Sequence, residues 1–212
     1  MSEPPVERQL PADIEARVVE LGERADEAEA KGDFVLCKNL LLEGFALLPE
    51  PKYEWAVGEV LLCGAADAAL RAGDPAAALS MLKDGLEAPV MNSPPVNLRI
   101  GRALFELGRK QESTQHFLFA LLGGGSELFD DQDDKYHDFA CEELRPPEGC
   151  ESWDDYEPPD EWPPDDGELG DFFELEPRQP EPGRAGLTGF GKLIVAAGVL
   201  LLAVWLVHSC IQ

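Results

Sequence analysis

Basic side chains are scarce in this chain: 17 lysines and arginines stand against 42 aspartates and glutamates, for a formal charge of −25. Such a surface repels phosphate backbones and anionic headgroups, which argues against direct nucleic-acid binding and against adsorption of the polar part to lipid. A basic protein partner suits it. No apolar run follows the amino terminus, which reads MSEPPVERQLPADIEARVVE. A secretory signal is therefore not expected, nor a lipid-anchor signal that would depend on one. The five cysteines, at 37, 63, 141, 150 and 210, form no C-x-x-C pair. They are expected as reduced thiols, with Cys37 and Cys63 serving as small apolar side chains in a core.

Catalytic signatures are missing as well. There is no G-x-S-x-G element, and no serine or cysteine has a local histidine arrangement suited to nucleophilic attack. His137, Cys141 and Cys150 lack the fourth ligand and the tight pair spacing of a structural zinc site. The acidic run 130–134 lacks the loop glycine and distal glutamate of a calcium loop and reads as a solvated first helical turn. The expectation is a non-enzymatic protein with no catalytic residue, no metal, no cofactor and no small-molecule substrate.

What the chain does have is a long apolar ending, LTGFGKLIVAAGVLLLAVWLVHSCIQ, with Lys192 as its one charge. As a helix, residues 186–207 span roughly 33 Å, enough for a hydrocarbon core of about 30 Å. Trp205 and His208 fall near one interface, and Lys192 can snorkel to the other. Arg184 and Lys192 lie on the amino-terminal side, so the positive-inside rule leaves everything before residue 186 in the cytoplasm. A single-pass transmembrane helix at 186–208 is expected, with 209–212 as a short tail. The Ala-, Gly- and Pro-rich composition fits a GC-rich bacterium and hence an inner membrane.

Between a disordered arm at 1–12 and residue 145, strong helix formers dominate and apolar residues recur at spacings of three and four, so the fold class is all-α. Helices are predicted at 13–31, 34–48, 52–72, 75–87, 95–107, 110–122 and 127–144, broken at Gly32, Pro49–Pro51, Gly73, Pro94, Gly108 and the run Gly123–Gly125. From 146 to 185 the composition changes: nine prolines and fourteen carboxylates predict a disordered, extended linker. Trp153, Tyr156, Trp162, Phe172 and Phe173 interrupt that tract and suit a linear motif, with rings as anchors and acids steering toward a basic partner. The same aromatics could instead fold back onto the helical domain.

The period of 41 and 35 residues between Gly32, Gly73 and Gly108 carries a family resemblance. Small residues fall at Ala25, Ala66 and Gly101, then at Cys37, Ala78 and Ser113. Large ones follow at Leu41, Leu82 and Phe117, and small ones again at Gly44, Gly85 and Ala120. This pattern resembles the tetratricopeptide repeat, with Asn97 departing from it at a position that is normally large and apolar. The resemblance implies three helical hairpins over 13–145, closed by an amphipathic end helix. It also implies a concave partner-binding groove lined by Asp26, Glu29, Asp67, Arg71, Arg102, Phe105 and Glu106. Asp26 and Asp67 stand where a carboxylate clamp for a chaperone tail needs lysine and asparagine, which argues against that ligand. The function expected is a tail-anchored adaptor or scaffold binding a protein partner and membrane lipid. Immunity proteins that neutralise a toxin and organelle-type tail-anchored recruitment adaptors are alternatives with similar parts.

Overall fold

The computed structural model of this protein describes residues 9–83, 93–159 and 162. The described residues form helices and turns, with no strand. In order they are α1 (Ala12–Ala30), α2 (Phe34–Leu47), α3 (Ala56–Arg71), α4 (Pro75–Lys83), α5 (Pro94–Glu106), α6 (Lys110–Gly124) and α7 (Asp134–Glu143). Short 3₁₀ turns occur at Lys52–Glu54, Ser126–Phe129 and Trp153–Asp155.

One turn is used three times, between α1 and α2, α3 and α4, and α5 and α6. Gly32, Gly73 and Gly108 take φ of 76°, 78° and 75°, a left-handed conformation that costs a residue with a side chain roughly 1–2 kcal/mol. Their N–H groups donate to the carbonyls of Glu29, Leu70 and Phe105. The next N–H groups, of Asp33, Asp74 and Arg109, reach back to Ala28, Ala69 and Leu104. These paired bonds are the Schellman ending of a helix. The following helix starts at once, because Asp33 and Asp74 accept from the amides of Leu36 and Ala77 at 3.0 Å, satisfying an orphan donor of the first turn. Arg109 has no acceptor to offer. It grips Glu112 through two bonds of 2.7 and 2.6 Å instead, setting a carboxylate beside the helix start.

So abrupt a reversal lays the two helices side by side, and small residues let them approach. Ala25, Ala66 and Gly101 are buried on α1, α3 and α5, and Cys37, Ala78 and Ser113 on α2, α4 and α6. A Cβ added at Gly101 would stand 2.7 Å from two carbons of the Phe117 ring. Leu82 and Phe117 are wholly buried, and Leu41 half-buried. Each helix from α1 to α6 packs on the next, and α3 also packs on α5. The apolar core of the described residues falls into four clusters between α1 and α7.

Asn97 is buried, at 4% exposure, with its polarity used. Its amide donates to the Ser93 carbonyl at 3.0 Å, and its Oδ1 lies 2.8 Å from His116 Nδ1. That orientation makes His116 the donor, with its proton on Nδ1. Ser93 in turn donates to Glu59 at 2.6 Å, so a polar seam joins α3, α5 and α6 where an apolar residue was expected. Burial pushes the His116 pKa down to about 4, with Lys83 adding to the shift.

Several expected boundaries move. The helix predicted from 52 begins at Ala56, after a 3₁₀ turn, because the Trp55 indole donates to the Pro49 carbonyl at 2.8 Å and holds the approach segment across the helix start. The end helix predicted at 127–144 divides into a 3₁₀ turn and α7. Asp133 caps α7 by accepting from the Lys135 amide at 3.2 Å. Gly123 and Gly124 stay helical, and the break comes at Gly125, with φ of 63°. The arm expected at 1–12 is placed from residue 9, with Leu10 packed beside Val18 and Leu61. The largest difference is at Pro146, where the disordered linker was expected to begin. The described chain continues, with Trp153 only 2% exposed and donating to the Leu144 carbonyl at 3.4 Å, and the Tyr156 hydroxyl donating to the Leu122 carbonyl at 2.9 Å. The aromatic rings bury apolar area that the surrounding prolines and carboxylates do not supply. The transmembrane helix expected at 186–208 lies outside the described residues, among which no helix is long and apolar enough to cross a membrane.

Candidate interaction face

Asp26, Asp67 and Arg102 stand six residues before Gly32, Gly73 and Gly108, so the repeated turn sets them at one register of α1, α3 and α5. Most of the residues expected to line a groove are tied to one another by ion pairs between helices. Glu29 of α1 pairs with Arg71 of α3. Asp67 of α3 takes two guanidinium groups from α5: Arg102 Nη1 at 2.6 Å, and Arg99 through Nε at 2.8 Å and Nη2 at 2.7 Å. Arg99 also donates to the Pro95 carbonyl at 2.9 Å. Glu106 of α5 accepts from the Tyr136 hydroxyl at 2.7 Å and lies 2.8 Å from Lys135 Nζ, both on α7. The pairs form a ladder from α1 to α7 across the array.

Its rungs differ in depth. The Glu29 and Arg71 side chains are about half exposed, and pairs of that kind contribute roughly 0–1 kcal/mol. Arg102 is 8% exposed, its guanidinium lies 5.4 Å from the Tyr136 ring centre, and its Nε is buried without an acceptor among the described residues. A guanidinium so placed depends on Asp67 for its charge, since an unpaired charge in that position is costly. Phe105 packs edge-on against Tyr136 and Phe139, at 5.5 and 5.1 Å between ring centres, with Lys110 Nζ 4.8 Å from the centre of its ring.

The electrostatics favour fixed charge over proton transfer. Hydrogen bonds from Lys135 and Tyr136 hold the Glu106 carboxyl below its usual range, and Glu106 raises the Lys135 ammonium in return. Burial, then the bond to Glu106, pushes the Tyr136 phenol up. All of these groups move away from neutral pH, opposite to what a general acid or base needs. Asp26 stands apart. It is exposed and has neither ion pair nor hydrogen bond among the described residues.

Elsewhere the chemistry is structural. His137 Nε2 is 3.1 Å from Ser126 Oγ, 3.5 Å from Cys141 Sγ and 3.9 Å from Asp154. Burial pushes the Cys141 thiol up to about 11, with Asp154 and Asp138 adding to it, so the sulfur stays protonated and weakly nucleophilic. No group of three or more His, Cys, Asp or Glu side chains able to hold a metal occurs among the described residues.

The expected linear motif is redistributed. Trp153 is a core residue, packed edge-on to Tyr156 at 5.7 Å, so its ring is not available as an anchor for a partner. Tyr156 and Trp162 are half-buried, and Phe172 and Phe173 lie outside the described residues. Arg99, Lys135 and Tyr136 were not among the residues expected to line the groove. Arg99 was recoverable, standing one helical turn before Arg102 on the same face. Lys135 and Tyr136 come from the end helix, which no repeat register positions. No protein-family model matches the chain, and no curated protein is significantly similar to it.

Proposed function

We propose that this protein is a non-enzymatic adaptor: a tetratricopeptide-like array of helical hairpins, held to a membrane by its C-terminal apolar segment, that recruits a protein partner. The observation that carries the reading is the turn repeated at Gly32, Gly73 and Gly108, with buried small residues at matching positions on both helices of each hairpin. Stacked hairpins of this kind bury a continuous core between neighbours and leave one side of each first helix open to a ligand. On that side the ladder neutralises most charge internally. Asp26 and Glu23 remain as exposed carboxylates of α1, a distribution that favours a basic peptide or helix over an acidic tail. Anchoring rests on the uncharged run Leu193–Val207. It would hold the array on the cytoplasmic side of a bacterial inner membrane and raise the effective concentration of weak contacts there. Extraction of membranes with alkaline carbonate tests the anchor. Full-length protein is expected in the pellet and residues 1–185 in the supernatant, and release of the full-length chain would end the membrane part of the proposal.

A further inference from the structure

The three glycines that close α6 have separate uses. Gly124 admits Leu128, whereas Gly123 and Gly125 face the returning acidic segment. A Cβ at Gly123 would stand 2.5 Å from Pro94 Cγ and 2.5 and 2.7 Å from Cδ2 and Cε2 of Trp162. One turn earlier on the same helix, the Phe119 ring meets the Trp162 indole edge-on, 5.0 Å between centres and 89° between planes. At Gly125 a Cβ would meet Pro158 Cδ at 3.3 Å. The end of α6 is therefore a notch, open because two side chains are missing, floored by Pro94 and walled by Phe119. A tryptophan and a proline four residues apart in sequence fill it. The indole Nε1 is buried there with no acceptor among the described residues, and the ring rests on Pro94 and Phe119.

We propose that this notch is a recognition site for an acidic tryptophan–proline peptide, occupied in cis by Trp162 and Pro158 and open to the same sequence in trans. Trp153 and Tyr156 fasten the segment through buried area and hydrogen bonds, while Trp162 is its exchangeable end. In an anchored protein the latch also sets where the tether starts. Release back to Tyr156 adds six residues, or roughly 20 Å at about 3.1 Å per residue. That consequence rests on the membrane reading, whereas the site itself does not.

The test uses the full-length chain in detergent micelles and a fluorescent peptide of residues 156–166, YEPPDEWPPDD, followed by anisotropy. Trp162→Ala empties the notch, and saturable binding is expected. Wild type is expected to bind at least tenfold more weakly, because its own Trp162 competes at the roughly millimolar effective concentration of a short linker. Adding Phe119→Ala to Trp162→Ala removes one ring face and is expected to weaken binding about tenfold. Adding Gly123→Ala closes the notch and is expected to abolish binding. A peptide with alanine for the tryptophan should not bind any variant. If Gly123→Ala disturbs Pro94 enough to reduce helicity, the Phe119→Ala comparison decides. No saturable binding to Trp162→Ala overturns the proposal, as does equal binding to wild type and all variants. Failure here leaves carbonate resistance untouched, so the two proposals fail separately.

Discussion

Replacing Gly101 by alanine adds a methyl group where α5 and α6 nearly touch. In an open helix interior the change is favourable, since alanine exceeds glycine in helix propensity by about 1 kcal/mol. Gly22 of α1 offers that open case, with nothing within 4 Å of an added Cβ. At Gly101 the same atom lies 2.7 Å from Cδ1 and Cε1 of Phe117. Phe117 is wholly buried and has the rings of Phe129, Tyr136 and Phe139 at 5.8, 6.3 and 6.2 Å, so it has little room to retreat. Overpacking of this kind costs about 1–3 kcal/mol, leaving a net loss of roughly 0–2 kcal/mol after the propensity gain. The assay is thermal unfolding of residues 1–185 by circular dichroism. At about 2–4 °C per kcal/mol, Gly22→Ala should raise the midpoint by roughly 2–4 °C, and Gly101→Ala should leave it unchanged or lower it by up to about 8 °C. Gly101→Leu should lower it further. Adding Phe117→Leu should cost less beside Gly101→Ala than in wild type, by about 1 kcal/mol of coupling. Equal stabilisation by Gly22→Ala and Gly101→Ala would refute the close contact and the helix register built on it.

His116 makes stability depend on pH. Its folded pKa of about 4 lies below the ordinary imidazole value of 6.5, so the unfolded chain binds more protons between these limits and stability falls as pH drops through that window. The ceiling is about 3 kcal/mol at 1.36 kcal/mol per unit. Urea midpoints of wild type and His116→Gln should diverge from pH 7 to pH 4, and parallel profiles would contradict the assignment. Arg102→Ala should cost roughly 1–3 kcal/mol through lost packing and the loss of one of the two guanidinium groups on Asp67, with little salt dependence, against under about 1 kcal/mol for Arg71→Ala. Urea denaturation at low and high salt separates the two, and equal costs would mean the ladder has no buried rung. Trp153→Ala should cost about 3–5 kcal/mol, as for a core aromatic, and an unchanged urea midpoint would return residues 146–159 to a featureless linker.

The repeated turns were legible because they are local: a glycine at a helix end, followed in two of the three by aspartate, states its geometry in two residues. Helix boundaries near them, such as 34–48 against Phe34–Leu47, fell within a residue or two. Boundaries set by long-range contacts did not. Nothing in residues 52–56 announces that the Trp55 indole will bind the Pro49 carbonyl and delay α3. Asn97 read as a departure from a pattern because its partner, His116, is nineteen residues away on another helix. The acidic segment misled most, since composition averages over a stretch whereas burial is decided by particular rings. Two carboxylates adjoin Trp153, yet the ring is in the core. Of the seven residues expected to line a groove, the register placed three at one level. Only three-dimensional pairing revealed that Glu29 pairs with Arg71 and Asp67 with Arg102, that Glu106 is taken by Lys135 and Tyr136, and that Asp26 has no ion pair among the described residues.

Site-specific photocrosslinking in intact membranes tests the adaptor account most directly. A photoreactive amino acid replacing Asp26 sits on the proposed partner face, and one replacing Val35, which is 56% exposed on α2, provides a control position away from that register. After irradiation the membranes are washed with alkaline carbonate and the adducts resolved by mass. The account predicts a discrete protein adduct from the Asp26 position, retained in the washed membranes and absent from the Val35 position. No adduct, the same adducts from both positions, or crosslinked protein released into the carbonate wash would contradict it.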